Sequence, residues 1–388
     1  MEKLKVVFTF VEAGLGHIVP ATGISDAFEK KYGDKFEVVR WNIFSQSPNP
    51  IVKNYGDYLI SWVKKAPNNK FMAYTENLSY MIGSKTTLKV LDSKFKKAKE
   101  AIIQEIKEMN PALICSTFYS PSHFALEAKK MGLTDAIVAT YAPDPVIYPA
   151  WDRRSDVFFV NNDAAYRMAL KKGFKEKQVI KIPFILRKEI QYTTKDKKEA
   201  RRALGLDEEK FTILMANGAY GTSKDPKIID EILKKNLNIN FVVVCGKNEE
   251  LFEYCKNYQI AKNSNTSFHF IGFTNQMFLY ISSANLMIGK SGTNALNESF
   301  YFGVPFFVTS SINLLEKQTR KYFINEKHCG KVILNPKKLA AELEKIVSNP
   351  EVLEKYIENL KPYQDSTGSE KIADILYDML KEKYNLKD

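Results

Sequence analysis

Apolar residues in this chain come in short runs, and the segments between them follow helical spacing. Phe268 to Phe273 reads as a strand that ends in a glycine turn. Asn275 to Ser283 repeats apolar residues three and four apart, the period of a helix. Leu286 to Ile288 is a second buried strand, and Gly289-Lys290-Ser291-Gly292-Thr293-Asn294 turns it into a helix carrying Ala295, Leu296 and Glu298. Gly303-Val304-Pro305 breaks that helix, and Phe306-Phe307-Val308 is a third strand. A βαβαβ run of this kind predicts a parallel sheet covered by helices.

The same alternation fills the rest of the chain. Strands are predicted over Lys5 to Val11, Phe36 to Trp41, Ala112 to Ser116, Ala136 to Thr140, Phe158 to Val160, Phe211 to Ala216 and Phe241 to Cys245. Helices are predicted from the turn after the first strand to Tyr32, and over Ala98 to Met109, Ser120 to Met131, Ala164 to Lys172, Leu339 to Val347, Val352 to Lys361 and Ser369 to Tyr384. A chain of 388 residues is expected to form two domains. The boundary is Pro183 to Lys210, rich in charge and poor in large apolar residues after Ile190. The expected fold is therefore α/β, with a domain over 1–185 and another over 186–365.

Ligands of open parallel sheets sit beyond the carboxyl ends of the strands, so the turns there carry the candidate chemistry. The turn opening a helix at Ser291, Gly292 and Thr293 is expected to offer free N–H groups and a positive dipole end to a diphosphate. Glu298, about two turns into that helix, is placed to hydrogen-bond a ribose. The first strand leads into Gly14-Leu15-Gly16-His17, which fails the dinucleotide fingerprint because Val19 stands at the third glycine position. Gly16 permits close approach of a ligand, and His17 sits at the mouth of the turn as a base or a phosphate contact. Gly218 and Tyr220 lie in a further glycine turn, Asn217 to Ser223, and Gly246 in Gly246-Lys247-Asn248.

Gly272-Phe273, the stretch Ser283 to Ser299, Gly303 to Phe307, Glu316-Lys317-Gln318 and His328-Cys329-Gly330 keep order and spacing together. At these residues the chain resembles the nucleotide-sugar half of GT-B glycosyltransferases of the glycolipid synthase type. That type includes the diacylglycerol galactosyl- and glucosyltransferases and, more distantly, the transferase that forms lipid II for peptidoglycan. The resemblance implies two Rossmann-like doubly wound domains facing a cleft, with a last helix, 366–388, crossing back to the first. It implies an inverting, metal-independent hexosyltransferase that takes a UDP-sugar as substrate and needs no cofactor. The donor would be held by Gly16, Gly218, Tyr220, Gly246, Phe273, Ser291, Gly292, Thr293, Glu298, Glu316 and Lys317. His17 matches the Gly-x-Gly-His turn implicated in catalysis in that family. Asp144, Tyr148 and Trp151 keep the spacing of its aspartate, histidine and tryptophan motif, but tyrosine replaces the histidine and cannot act as a neutral-pH base. Leu315 replaces a family glutamine beside the retained Glu316, so the donated sugar is not specified.

Ile51, Tyr55, Tyr58, Leu59 and Trp62 fall on one helical face flanked by Lys53, Lys64 and Lys65. Such a face either packs on its own domain or lies in a membrane interface, with aromatics among headgroups and lysines on phosphates. The resemblance favours a lipid acceptor contacted by Tyr55, Tyr58, Trp62, Tyr148 and Trp151. The net charge of +12 points the same way, because Lys53 to Lys107 holds eleven lysines and five acids, half of the total surplus. An anionic membrane surface is thus the expected partner. No arginine-aromatic cluster supports a nucleic-acid partner. Four scattered cysteines without a CxxC pair predict reduced thiols, and no D-x-D run or cysteine pair predicts a metal site. No apolar run approaches the roughly 18–20 residues of a membrane span, and the N-terminal segment lacks a signal-peptide pattern. The expectation is a cytoplasmic protein, peripheral on the inner face of the cell membrane, with diacylglycerol as acceptor. A polyprenyl-linked or soluble acceptor, a UDP-sugar epimerase of the same fold, and a degenerate nucleotide-sugar-binding protein remain as alternatives.

Overall fold

The computed structural model describes residues 3–12, 15–65, 84–218, 220–258 and 264–386. They form two compact units, one over Met1–Arg187 together with Ser366–Asp388 and one over Lys188–Asp365.

In the first unit, β1 (Leu4–Phe10) runs into α1 (Leu15–Tyr32) and β2 (Phe36–Asn42). Helices α2 (Pro50–Lys65), α3 (Ser84–Lys94) and α4 (Lys96–Met109) precede β3 (Leu113–Ser116). Then come α5 (Tyr119–Lys130), β4 (Ile137–Ala142), β5 (Val157–Val160), α6 (Asp163–Lys171) and β6 (Val179–Lys181). The sheet order is β2-β1-β3-β4-β5-β6, and each described pairing is parallel. Val6, Val7 and Phe8 of β1 are fully buried, as a strand covered on both faces requires. Helix α15 (Gly368–Tyr384) belongs to this unit and packs along α1. Its Ile372, Leu376 and Leu380 are fully buried against Ile24 and Phe28. Tyr377 stacks on Tyr32 at 4.1 Å, and Asp374 pairs with Lys31 at 2.8 Å. Each buried Leu or Ile of this kind contributes about 1.5–3 kcal/mol.

The second unit begins with α7 (Lys197–Ala203) and β7 (Phe211–Ala216). It continues through α8 (Asp225–Leu233), β8 (Ile239–Val244), α9 (Glu249–Lys256), β9 (Ser267–Ile271) and α10 (Met277–Ser283). β10 (Leu286–Lys290), α11 (Thr293–Tyr301), β11 (Phe306–Ser310), α12 (Leu314–Arg320) and β12 (Gly330–Val332) follow, then α13 (Pro336–Ser348) and α14 (Glu354–Leu360). The order is β12-β11-β10-β7-β8-β9, again parallel throughout the described pairings. The strand order reverses between β1 and β3 in the first sheet and between β7 and β10 in the second. Each reversal opens a crevice at the carboxyl ends of its own sheet, where doubly wound sheets hold ligands. Gly289 is required in β10, because a Cβ there would lie 2.2 Å from the Ala216 carbonyl oxygen of the neighbouring strand.

Candidate functional site

At the β1/β3 reversal, the start of α1 meets the segment after β3. His17 Nδ1 lies 2.8 Å from the Thr117 carbonyl oxygen, and Thr117 Oγ1 donates to the His17 carbonyl at 2.8 Å. A carbonyl only accepts, so Nδ1 carries the proton and the neutral ring keeps its lone pair on Nε2. Phe118 meets the imidazole edge-on at 4.9 Å. Burial lowers the His17 pKa, and the Thr117 bond offsets only part of that shift. The ring is held neutral, in one tautomer, with Nε2 available as a base. Thr117 and Phe118 escape sequence reasoning because they lie about a hundred residues from His17 in the chain.

Asp144 follows β4 on a turn braced by Asn161, whose Nδ2 donates to the Pro143 carbonyl at 2.8 Å. Burial pushes the Asp144 carboxyl up to about 7. Among the described residues no hydrogen bond or ion pair reaches it. Tyr148 is half-buried and packs on Tyr119 at 5.2 Å, and Tyr119 also packs on Phe118 at 4.3 Å. An aromatic path therefore leads from His17 through Phe118 and Tyr119 to Tyr148. Trp151 departs from expectation: at 4% exposure it is core, wedged against Phe158. The loop after it is anchored by Asp152, which pairs with His123 at 2.8 Å and Arg154 at 2.5 Å. His123 and Arg154 hold that carboxyl below the usual carboxylate range despite its burial.

The predicted aromatic face of α2 divides. Ile51 and Tyr58 are 45% and 43% exposed, whereas Tyr55 is 5% exposed and packs against Phe44 and Phe95. Tyr55 is thus a core residue rather than a surface contact. Gly56 permits this packing: a Cβ there would sit 2.4 Å from Phe44 Cβ, in the turn after β2, so only glycine lets α2 come this close beside Tyr55. The side chains of Leu59, Trp62, Lys64 and Lys65, and all of 66–83 including Lys70, lie outside the described residues.

At the β7/β10 reversal, Gly218 and Gly221 adopt positive φ, and Tyr220 between them is 75% exposed. Asp225 organises this turn: its carboxylate accepts from the Thr222 N–H at 2.8 Å and from Asn217 Nδ2 at 2.7 Å. Asn248, the N-cap of α9, donates to the Tyr220 carbonyl at 3.0 Å and ties the Gly246 turn to the Gly218 turn. Phe273, after β9, is 72% exposed with Lys247 Nζ 5.5 Å from its ring centre.

The turn after β10 corrects the sequence expectation. The N–H groups of Ser291 and Gly292 are used internally, by the Ser310 and Lys290 carbonyls. Ser291 Oγ is buried against Ser311 Oγ and the Glu316 carbonyl. Ser291 therefore ties β10 to α12 and is no phosphate contact. Gly292 is the N-cap of α11, with no side-chain cap. The N–H groups left to an anion are those of Thr293, Asn294 and Ala295, the first turn of the helix. Glu298 is 8% exposed on the same helix, and Lys317 is exposed on α12. Glu316 is 7% exposed; it accepts from the Ile312 N–H at 2.6 Å and pairs with Lys290 Nζ at 3.1 Å. Lys290 leans beside Gly218, where a Cβ would meet its Cε at 3.4 Å. Lys290, Asn248 and Asp225 were not among the predicted donor residues. Among the described residues no cluster of three His, Cys, Asp or Glu side chains is arranged for a metal, and no helix is long and apolar enough to cross a membrane.

Comparison with known proteins gives the following. Residues 224–373 match the glycosyltransferase family 28 C-terminal domain. The processive diacylglycerol beta-glucosyltransferase of Staphylococcus aureus (strain JH9) is 31% identical over 177 residues, 45% of this chain and 44% of that protein. The chain thus matches less than half the length of that relative. Among solved structures, MurG of Acinetobacter baumannii superposes with a TM-score of 0.65 at 13% identity, covering 97% of this chain and 100% of the other. The S. aureus MnaA–UDP co-structure superposes with a TM-score of 0.61 at 16% identity, covering 100% and 98%. These likenesses show the GT-B fold.

Proposed function

We propose that this chain, whose second unit carries a glycosyltransferase family 28 C-terminal domain, moves a hexose from a UDP-sugar to a membrane lipid acceptor. The acceptor is diacylglycerol, the transfer inverts the anomeric centre, and no metal ion takes part. The observation that carries the reading is the family match over 224–373, laid on the β7/β10 reversal with its uncapped helix and buried Glu298. The relative named for diacylglycerol supports the acceptor, as do the exposed Ile51, Lys53 and Tyr58 of α2.

In this mechanism the first turn of α11 and the Lys290 ammonium take up negative charge on the departing diphosphate. Glu298 accepts from the ribose, and Glu316 from the sugar. Stacking of the uracil falls to the exposed rings Tyr220 and Phe273. His17 Nε2 removes the proton of the acceptor hydroxyl as it attacks the anomeric carbon in one displacement, which needs no covalent nucleophile. Asp144, near half-protonation at neutral pH, positions the acceptor. The protein works peripherally at an anionic membrane on the cytoplasmic side. Incubation with UDP-glucose, UDP-galactose or UDP-N-acetylglucosamine and vesicles containing diacylglycerol, followed by mass spectrometry, tests this directly. A hexosyl-diacylglycerol is expected. Free sugar from UDP-sugar without a lipid product would remove the acceptor assignment, and binding without turnover would leave a nucleotide-sugar-binding protein.

A further inference from the structure

Arg201 of α7 is 5% exposed. Its guanidinium donates from Nε to the Ser283 carbonyl at 3.0 Å, from Nη1 to the Glu208 carbonyl at 2.8 Å and from Nη2 to Asn285 Oδ1 at 2.5 Å. All three acceptors are neutral, and two of the five N–H groups of a guanidinium are left over. A buried charge is ordinarily paired. Among the described residues no carboxylate pairs with this one: Arg202 holds Glu208 at 2.7 Å, and Lys198 holds Glu209 at 2.5 Å. Burial accordingly lowers the Arg201 pKa, and Glu209 and Asp207 offset only part of that shift. Asn285 adds further donors. Its Oδ1 accepts from the Thr212 N–H at 2.8 Å as well as from Arg201, which fixes the amide, so Nδ2 points away from both. That Nδ2 has no partner among the described residues and is not buried. Lys210 Nζ donates to the Asn265 carbonyl and to Ser267 Oγ, both at 2.9 Å, and keeps one N–H. Arg201, Asn285 and Lys210 line one cavity of about 410 Å³, walled by Phe211, Val347 and Pro350. Small-molecule sites run from roughly 300 to 1,000 Å³. The cavity lies at the amino ends of β7 and β10, whereas the Gly218 turn and Lys290 lie at their carboxyl ends. The six residues of β7 separate the two by about 20 Å.

We propose that this cavity is a second anion site, which takes a phosphate dianion, either free or on a small ester such as glycerol phosphate. The chemistry of the ligand follows from the groups left over. Those of Arg201, Asn285 and Lys210 are all donors, which an oxyanion can fill and a cation cannot. Arg201 and Lys210 bring two positive charges, and Glu209, the carboxylate in the lining, is engaged by Lys198. A phosphate dianion balances both charges, whereas a single carboxylate leaves one over. The planar guanidinium also suits phosphate oxygens. Phe211, Val347 and Pro350 give the carbon part of an ester an apolar wall. The site is separate from the diphosphate position assigned to α11, and it does not depend on the activity proposed above.

Asn285→Asp tests the site while keeping the bonds around it. Aspartate still accepts from Thr212 and Arg201, gives Arg201 the carboxylate it lacks, and puts an oxygen where Nδ2 faced the cavity. Without ligand, its thermal midpoint is expected to equal or exceed that of the unchanged protein. Calorimetry at constant ionic strength then compares inorganic phosphate, glycerol phosphate and, as the uncharged control, glycerol. Both phosphates are expected to bind the unchanged protein with UDP present in excess, and glycerol is not. Asn285→Asp is expected to bind the phosphates about tenfold or more weakly, the size of one lost charge-assisted hydrogen bond. Tighter binding of glycerol phosphate than of inorganic phosphate assigns the site to an ester, and equal binding assigns it to free phosphate. Phosphate heats no larger than those of potassium chloride would overturn the proposal, as would full phosphate binding by Asn285→Asp. Displacement of the phosphates by UDP would put them in the crevice at the other end of the sheet and overturn it as well. A lower midpoint for Asn285→Asp would show that Arg201 is not short of an anion, which removes the premise.

Discussion

His17 and Asp144 are shifted in opposite directions by the same burial, and each shift has a consequence for pH. Burial lowers His17 below 6.5, so Nε2 is free at neutral pH and the acid limb of kcat/KM should fall below 6.5. His17→Ala is expected to cut turnover about 100-fold while UDP affinity, read by calorimetry, is held. Loss of UDP binding instead would make His17 a phosphate contact. Asp144 is raised from 3.8 to about 7. Between those values the folded state binds more protons than the unfolded one, so stability falls as pH rises through that window. Asp144→Asn removes the effect. Its stability should gain on the unchanged protein from pH 4 to pH 7, approaching about 1.4 kcal/mol per pH unit, as urea melts at several pH values would show. Sequence reading singled out His17 because the chain has only four histidines and this one lies in a glycine turn, and Asp144 because it keeps the spacing of the resembled motif. It did not find Thr117 or Lys290. The first is joined to His17 only by the parallel pairing of β1 and β3, and the second reads in sequence as one more residue of the glycine turn, its contact with Glu316 being made only in the fold. Ser291 shows the opposite error, since a serine in a glycine turn resembles a phosphate ligand until its neighbours in space claim it.

Elements bounded by strong apolar periods were legible: both sheets, α1 and the three-strand run around Leu286. Helix α3 was not, because its sequence, SKTTLKVLDSK, offers no apolar stripe. It is secured instead by Asp92, which pairs with Lys99 at 2.8 Å and with His123 at 3.0 Å. Helix α2 was found, but its orientation was not, because the period cannot say which of two apolar edges a glycine admits to the core. Gly56→Ala should therefore cost about 1–3 kcal/mol by overpacking against Phe44, measured by urea unfolding; a neutral substitution would contradict the close approach. Farther along α11, Glu298→Ala should weaken UDP binding by about 1.5–3 kcal/mol if the carboxylate holds the ribose. Calorimetry in the presence of a chelator reads both that loss and any metal dependence, and a strict need for Mg²⁺ would contradict the proposed mechanism.

At the scale of the molecule, the charge surplus around α2 to α4 predicts how the protein meets its acceptor. Apolar insertion and phosphate attraction are each marginal alone, and the attraction is worth about 1 kcal/mol per lysine within a Debye length. Binding to phosphatidylglycerol vesicles should exceed binding to neutral ones and fall between about 0.05 and 0.5 M salt. Tyr58→Ser should lower it in a folded protein, judged by circular dichroism, because Tyr58 is exposed; full vesicle binding by that variant would move the contact elsewhere. The placement of α15 has a different consequence, one of timing during synthesis. Residues 188–365 are contiguous, so the second unit can close as it leaves the ribosome. The first unit begins earlier yet lacks Ile372, Leu376 and Leu380 until the whole second unit has been made. Its α1 surface, with Ile24 and Phe28, stays open through that interval. The half of the chain translated first is thus the half that folds last and depends most on chaperones.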